Sequence, residues 1–200
     1  MHARSTTYQG APGNLEAGVA FVKNEAWPVL ESSRGCRGLS MLVDRETGQC
    51  ILTSSWESEA AMLASDEDIR LIRDRGRDIL GGSARVDEWE IALMYRTYHG
   101  ECCRVSWLQG DPDAMIKTMR VNILPGLQQT SEFCSASVLV DRSSGLGCAT
   151  TAWETRGAMQ ASRAAGFDKR SRAAIDAGVQ VVEVHEFELA YAHLHVPQMA

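Results

Sequence analysis

The chain has 200 residues, 44% hydrophobic and 23% charged, with a net charge of −6. That balance suits a globular protein with one sizeable core or two small ones and gives no sign of disorder. The charge is spread without an acidic or basic block, so no stripe exists to neutralise a run of phosphates, and nucleic acid is not an expected partner. No apolar run approaches the roughly 18 residues of a membrane span, and the first ten residues lack the apolar core of a secretion signal, so no membrane partner is expected and the expected location is the cytoplasm. The six cysteines, Cys36, Cys50, Cys102, Cys103, Cys134 and Cys148, include no C-x-x-C pair and read as reduced, small, buried side chains. Cys102 and Cys103 are adjacent in a strand and face opposite ways, which places them poorly for one metal.

Taken in chain order, Leu15, Val19, Val22, Ala26 and Leu30 recur at helical spacing and predict an amphipathic helix, with Asn14 as a candidate cap. Trp27-Pro28 falls inside it, and an internal proline predicts a kink or break. The apolar segment from Leu39 to Val43, the turn Asp44 to Gly48 and the segment Cys50 to Trp56 predict a β-hairpin. A second helix follows Trp56, with Ile69, Ile72, Ile79 and Leu80 on its pattern and Gly81-Gly82 as its stop, and a final strand runs from Val86 to Tyr95.

The same order is then written again. Ser40 to Ser65 aligns with Ser137 to Ser162, with half of the positions identical, and the aspartates (141 − 44), glycines (145 − 48) and tryptophans (153 − 56) all give an offset of 97. Gln9-Gly10 aligns with Gln109-Gly110, and the segment Asp87 to Tyr95 aligns with Glu183 to Tyr191 at an offset of 96, which matches Trp89 with His185. In the second copy Asp111-Pro112 starts a helix bearing Met115, Met119, Ile123 and Leu127, and Leu124-Pro125 occupies the place of Trp27-Pro28. The expected fold class is therefore α+β, two tandem ferredoxin-like β-α-β-β-α-β modules, residues 1–98 and 99–200. Both parities of several strands are apolar, and the joint from Arg96 to Glu101 is not a flexible linker, so the modules are expected to pack sheet to sheet as an internal pseudo-dimeric α/β barrel.

These residues, a helix ending at a proline-centred turn, Gly35 to Gly38, the Asp44 to Gly48 turn and Trp56-Glu57-Ser58-Glu59-Ala60, resemble the antibiotic-biosynthesis-monooxygenase-like family of dimeric α+β barrels. The resemblance implies a ligand pocket between sheet and helices in each module. It also implies a range of activities, among them cofactor-independent oxygenation of phenols, in which the carbanion form of the substrate reacts directly with oxygen and no cofactor is needed. A haem-degrading branch uses a histidine of the second helix, and residues 58–82 and 155–178 contain none. The expected partner is a small hydrophobic or aromatic molecule, and pseudo-dimers can associate further as a homodimer.

Four residues are singled out. Trp56 and Trp153 are either walls for a flat substrate or core anchors of the strand-to-helix corner. Trp89 and His185 mark a divergence between the copies: Trp89 is expected to shape a substrate pocket with Trp56 and Trp153, and His185 is the acid–base candidate, set against a histidine hydrogen-bonded into the core. Glu88, Glu90, Glu186 and Glu188 read as a solvated strand edge or salt bridges between the halves. His193-Leu194-His195 has a metal-capable spacing but no matching cysteine or carboxylate motif, so no metal is assigned. A monooxygenase-like enzyme and a non-catalytic small-molecule-binding or scaffold protein are the two functional classes left open.

Overall fold

The computed structural model describes residues 1–98 and 100–199, with the side chains of 164–171 and 173 left undescribed. His99, at the expected boundary of the two modules, lies outside the described residues. The strands are β1 (His2–Gln9), β2 (Cys36–Val43), β3 (Gln49–Trp56), β4 (Ser83–Arg96), β5 (Cys102–Gln109), β6 (Phe133–Asp141), β7 (Leu146–Trp153) and β8 (Gln180–Leu194). The α-helices are α1 (Leu15–Phe21), α2 (Trp27–Ser32), α3 (Glu59–Ala64), α4 (Asp66–Leu80), α5 (Pro112–Lys117), α6 (Leu124–Leu127) and α7 (Arg156–Asp176). Each half runs β-α-β-β-α-β as expected, and the hydrogen-bonded strand order β1-β3-β2-β8-β5-β7-β6-β4 closes on itself. The fold is α+β, with ferredoxin-like modules in a pseudo-dimeric barrel topology.

The compact units do not coincide with the two copies of the sequence. One comprises Met1–Trp89 with Glu188–Val196, the other Glu90–Phe187 with Pro197–Ala200. Strands β4 and β8 each pass from one unit into the other, so β2 pairs antiparallel with the end of β8, and β6 pairs with the end of β4. The four strand glutamates are spent in these units. Glu88 and Glu188 pair with Arg4 and Arg45 in the first, and Glu186 and Glu90 pair with Arg104 and Arg142 in the second.

Those pairs correct the sequence alignment of the last strands. Arg45 and Arg142 are equivalent by the offset of 97, and their partners Glu188 and Glu90 differ by 98 (188 − 90), as do Glu186 and Glu88. Trp89 therefore corresponds to Phe187, and His185 to Asp87. The error has a physical origin: strand side chains alternate with period two, so a slip of two residues leaves the apolar pattern unchanged.

The expected interruption of the first helix is a widened turn in both copies. Residues Val22–Ala26 and Thr118–Ile123 are π-helical, and the amide of Trp27 reaches back five residues to the Val22 carbonyl, as Leu124 does to Met119. Proline at the next position has no N–H to give and its ring crowds the carbonyl four residues earlier, so the register lengthens by one residue and the helix continues. Asp111 caps α5 by accepting from the Ala114 amide, whereas Asn14 makes no cap and donates its side-chain amide to the Leu80 carbonyl. Among the described residues no helix is long and apolar enough to cross a membrane.

The duplicated hairpin turn is held by its aspartate. Asp44 accepts from the Glu46 amide and the Thr47 hydroxyl, and Asp141 accepts from the Ser143 amide and the hydroxyls of Ser143 and Ser144. The serine hydroxyls hold the Asp141 carboxyl down at about 2. Gly48 and Gly145 close the turns at φ of 78° and 71°, and a Cβ on Gly48 would lie 2.3 Å from the Gly10 carbonyl oxygen.

Gly48→Ala is expected to cost about 2 kcal/mol through the positive φ and that collision, read as a lower urea midpoint with unchanged slope. An unchanged midpoint contradicts the turn geometry. Because the folded carboxyl of Asp141 titrates below its unfolded value, its contribution is present above about pH 4 and disappears as the pH falls through about 2. The melting-temperature gap between wild type and Asp141→Ala is therefore expected at pH 7 and should close between pH 4 and 2.

Candidate functional site

The two units use their helix-facing sheet surfaces differently. In the first, Tyr8, Phe21, Met41 and Trp56 belong to one continuous core, which leaves a cavity of only about 30 Å³. In the second, the core divides into a cluster around Met115, Met119, Val138 and Ala149 and another around Leu124, Leu127, Phe133 and Trp153. Between them lies a cavity of about 190 Å³, lined by residues of both clusters together with Arg104, Ser106, Leu108, Thr118, Thr151 and Val184.

The difference is written in side-chain volume. Strand pairing makes Leu108, Val138 and Ala149 the equivalents of Tyr8, Met41 and Leu52, and the paired prolines make Thr118 the equivalent of Phe21. Each exchange is to a smaller group, and a core left short of atoms at several neighbouring positions keeps a void. An apolar cavity of about 150 Å³ is enough to take up benzene.

Polar groups in this cavity are few and placed. Arg104 crosses from β5 to Glu186 on β8 at 2.7 Å, donates to the Ser162 hydroxyl and the Met159 carbonyl on α7, and lies 5.3 Å from the Trp153 ring centroid. The equivalent Arg4 pairs with Glu88, with Asp66 of α4 at 3.5 Å. Trp56 and Trp153 close the ends of β3 and β7, and both are buried. Their indoles differ. Trp56 donates its Nε1–H to the Ser54 hydroxyl at 3.0 Å, whereas the Trp153 Nε1–H is buried with no hydrogen-bond partner among the described residues. Thr151, which stands where the first copy has Ser54, directs its hydroxyl to the Arg104 carbonyl instead. A buried indole N–H without an acceptor is costly, of the order of 1–3 kcal/mol.

The four residues singled out from sequence are not brought to one place. Trp153 lines the cavity, and Trp56 is its counterpart in the filled core. Trp89 donates to the Ser5 hydroxyl at 2.8 Å, and Ser5 alternates in β1 with the helix-facing Arg4 and Thr6, so this tryptophan lies on the sheet face away from the helices. His185 alternates with the cavity-facing Val184 and the Arg104-bound Glu186. It also faces away, with Nε2 2.7 Å from Glu183 and its ring edge-on to Trp107 at 5.8 Å. Arg104, Thr118 and Ala149 were missed by sequence reasoning. The signal was present in the aligned hairpins, where Met41, Leu52 and Ser54 become Val138, Ala149 and Thr151 on the parity of the tryptophan.

A haem does not fit this site. No histidine or cysteine lines the cavity, neither α4 nor α7 carries a histidine, and the volume is that of a much smaller molecule.

No protein-family model matches the chain. Two proteins of Mycobacterium tuberculosis (strain ATCC 25618 / H37Rv) align with all of it: Uncharacterized protein Rv2558 at 41% identity over 87% of its own length, and Uncharacterized protein Rv2557 at 38% over 92%. Among solved structures, an anthrone oxidase-like protein superposes with a TM-score of 0.69 at 12% identity, covering 100% of this chain and 95% of that one. A provisionally named monooxygenase from Lactobacillus acidophilus NCFM gives 0.68 at 7% identity, covering 97% and 96%. A ferredoxin-fold protein of Listeria monocytogenes 4b F2365 related to antibiotic biosynthesis monooxygenases gives 0.53 at 9% identity, covering 94% of each. Sequence and fold thus agree that the chain belongs to the family of Rv2558 and Rv2557, built on the dimeric α+β barrel fold of the antibiotic-biosynthesis-monooxygenase-like proteins.

Proposed function

We propose that the second unit binds a small aromatic molecule bearing a hydrogen-bond-accepting oxygen, and that the protein oxygenates it without a cofactor. The observation that carries this reading is the cavity of about 190 Å³ with mostly apolar walls, lined in part by Trp153, whose buried Nε1–H has no hydrogen-bond partner among the described residues. A one- or two-ring molecule suits that volume. Its oxygen takes the indole N–H, and the ring packs against Met115, Met119 and Leu127.

The chemistry follows from the substrate. A phenol or enol loses its proton to solvent, giving an anion with carbanion character at the adjacent ring carbon. Its oxygen is stabilised by the Trp153 N–H in a water-poor site. The carbanion gives an electron to oxygen, the two radicals combine as a peroxide anion that takes a proton from solvent, and loss of water from the resulting hydroperoxide leaves a carbonyl. Overall, a CH2 group and one O2 become a C=O group and one H2O. The fold shared with an anthrone oxidase-like protein supports this class of reaction. Six cysteine thiols support a reducing, cytoplasmic setting. Leu71 and Val121, exposed on the helical surface, support further self-association as a homodimer. In this reading residues 1–98 and 99–200 remain the two copies of one ancestral module.

A second reading, a binding protein without catalysis, is favoured by one observation: the Arg104–Glu186 pair is the acid–base chemistry at the cavity, and His185 lies on the opposite face. Calorimetry and oxygen uptake with single-ring quinols separate the two. Wild type should bind and consume oxygen, Ala149→Leu should abolish both by restoring the bulk found in the first unit, and His185→Ala should match wild type. Trp153→Phe should lower kcat/KM by about a hundredfold. Binding without uptake moves the assignment to the second reading, and binding unaltered by Ala149→Leu overturns the site.

A further inference from the structure

Away from the cavity, in the first unit, two imidazoles meet near the end of β8. The Nε2 atoms of His193 and His195 are 2.9 Å apart, with ring centroids at 4.8 Å and planes crossing at 69°. Rings meeting end-on would hold their centroids apart by the nitrogen separation plus a ring radius on each side. The observed spacing is shorter, so at least one ring is turned off the line that joins the two nitrogens, and without a metal one imidazole donates its Nε2–H to the other.

The pair is held there. Trp27 packs on the His193 ring at 4.3 Å, His193 is in register with Leu39 of β2, and the His195 amide donates to the Arg37 carbonyl at 2.7 Å. Alternation along a strand puts residues two apart on the same side. A neutral imidazole offers one lone pair, and a metal–nitrogen bond is about 2.0–2.1 Å. Two such bonds spanning 2.9 Å subtend about a right angle at the metal, the cis angle of square-planar or octahedral coordination. A tetrahedral ion would hold the nitrogens about 3.3 Å apart.

We propose that His193 and His195 form a two-nitrogen chelate for a divalent transition metal of right-angled coordination, copper(II) foremost and nickel(II) next. No group of three or more histidine, cysteine or acidic side chains suited to a metal occurs among the described residues, so water or a small exogenous ligand completes the coordination. The order of affinity follows from donor type and angle: copper(II) binds imidazole most strongly of the first-row divalent ions, and zinc(II) loses its tetrahedral preference here.

The test is titration calorimetry of the untagged full-length protein with copper(II), nickel(II) and zinc(II) chlorides in turn. One equivalent should bind, in the order copper, nickel, zinc. His193→Ala and His195→Ala should each weaken nickel binding at least tenfold, while His2→Ala and His185→Ala leave it unchanged. Bound copper should quench the fluorescence of the neighbouring Trp27, and Trp27→Phe should remove that quenching without removing the metal. Nickel binding indifferent to both histidines overturns the site, and zinc binding tighter than copper overturns the right-angle assignment.

Discussion

A guanidinium cannot be taken out of water alone, and among the described residues two are. Arg4 and Arg104 are buried at equivalent places, and each is neutralised by a glutamate of the strand that ends its own copy. The consequence is architectural. Arg104 ties β5 to β8 through Glu186 and to α7 through Ser162 and Met159, which fixes one wall of the cavity and sets a cation beside the face of Trp153. A second pair of arginines, Arg45 and Arg142, takes Glu188 and Glu90 a short way further along the same strands, after each has entered the other unit. Four ion pairs thus register two long strands that both compact units share.

On that common frame the copies have diverged by volume rather than by reactive groups. The first unit keeps tyrosine, phenylalanine, methionine and leucine against its helices and spends its indole N–H on a serine. The second replaces them with leucine, threonine, valine and alanine, and its indole N–H has no acceptor among the described residues. Duplication allows this division: one copy supplies packed core, and the other keeps a void. The feature retained in both, tryptophan at the strand-to-helix corner, is part of a filled core in one place and lines a cavity in the other.

Much of this was legible in the residues. Period-two and period-3.6 patterns, the Asp–Gly turn and the constant offset determine the elements, and the prolines announced a helical irregularity that takes the form of a π turn. Three things were not legible. The register of the last strands was lost because alternation repeats every two residues, and so His185 was matched with Trp89 when its place is that of Asp87. The cavity was hidden because no single residue makes it: Ala149 is an ordinary strand residue until it is set beside Val138, Thr118 and Leu108 across three elements. The partner of a buried indole is likewise a matter of ångströms that spacing does not encode.

If the two copies differ in whether they hold a ligand, crystals soaked in phenol will show density for one ring in the second unit, its oxygen within hydrogen-bond distance of the Trp153 Nε1, and none beside Tyr8 in the first. Phenol in both units, or a collapsed and empty site around Ala149, would overturn that difference.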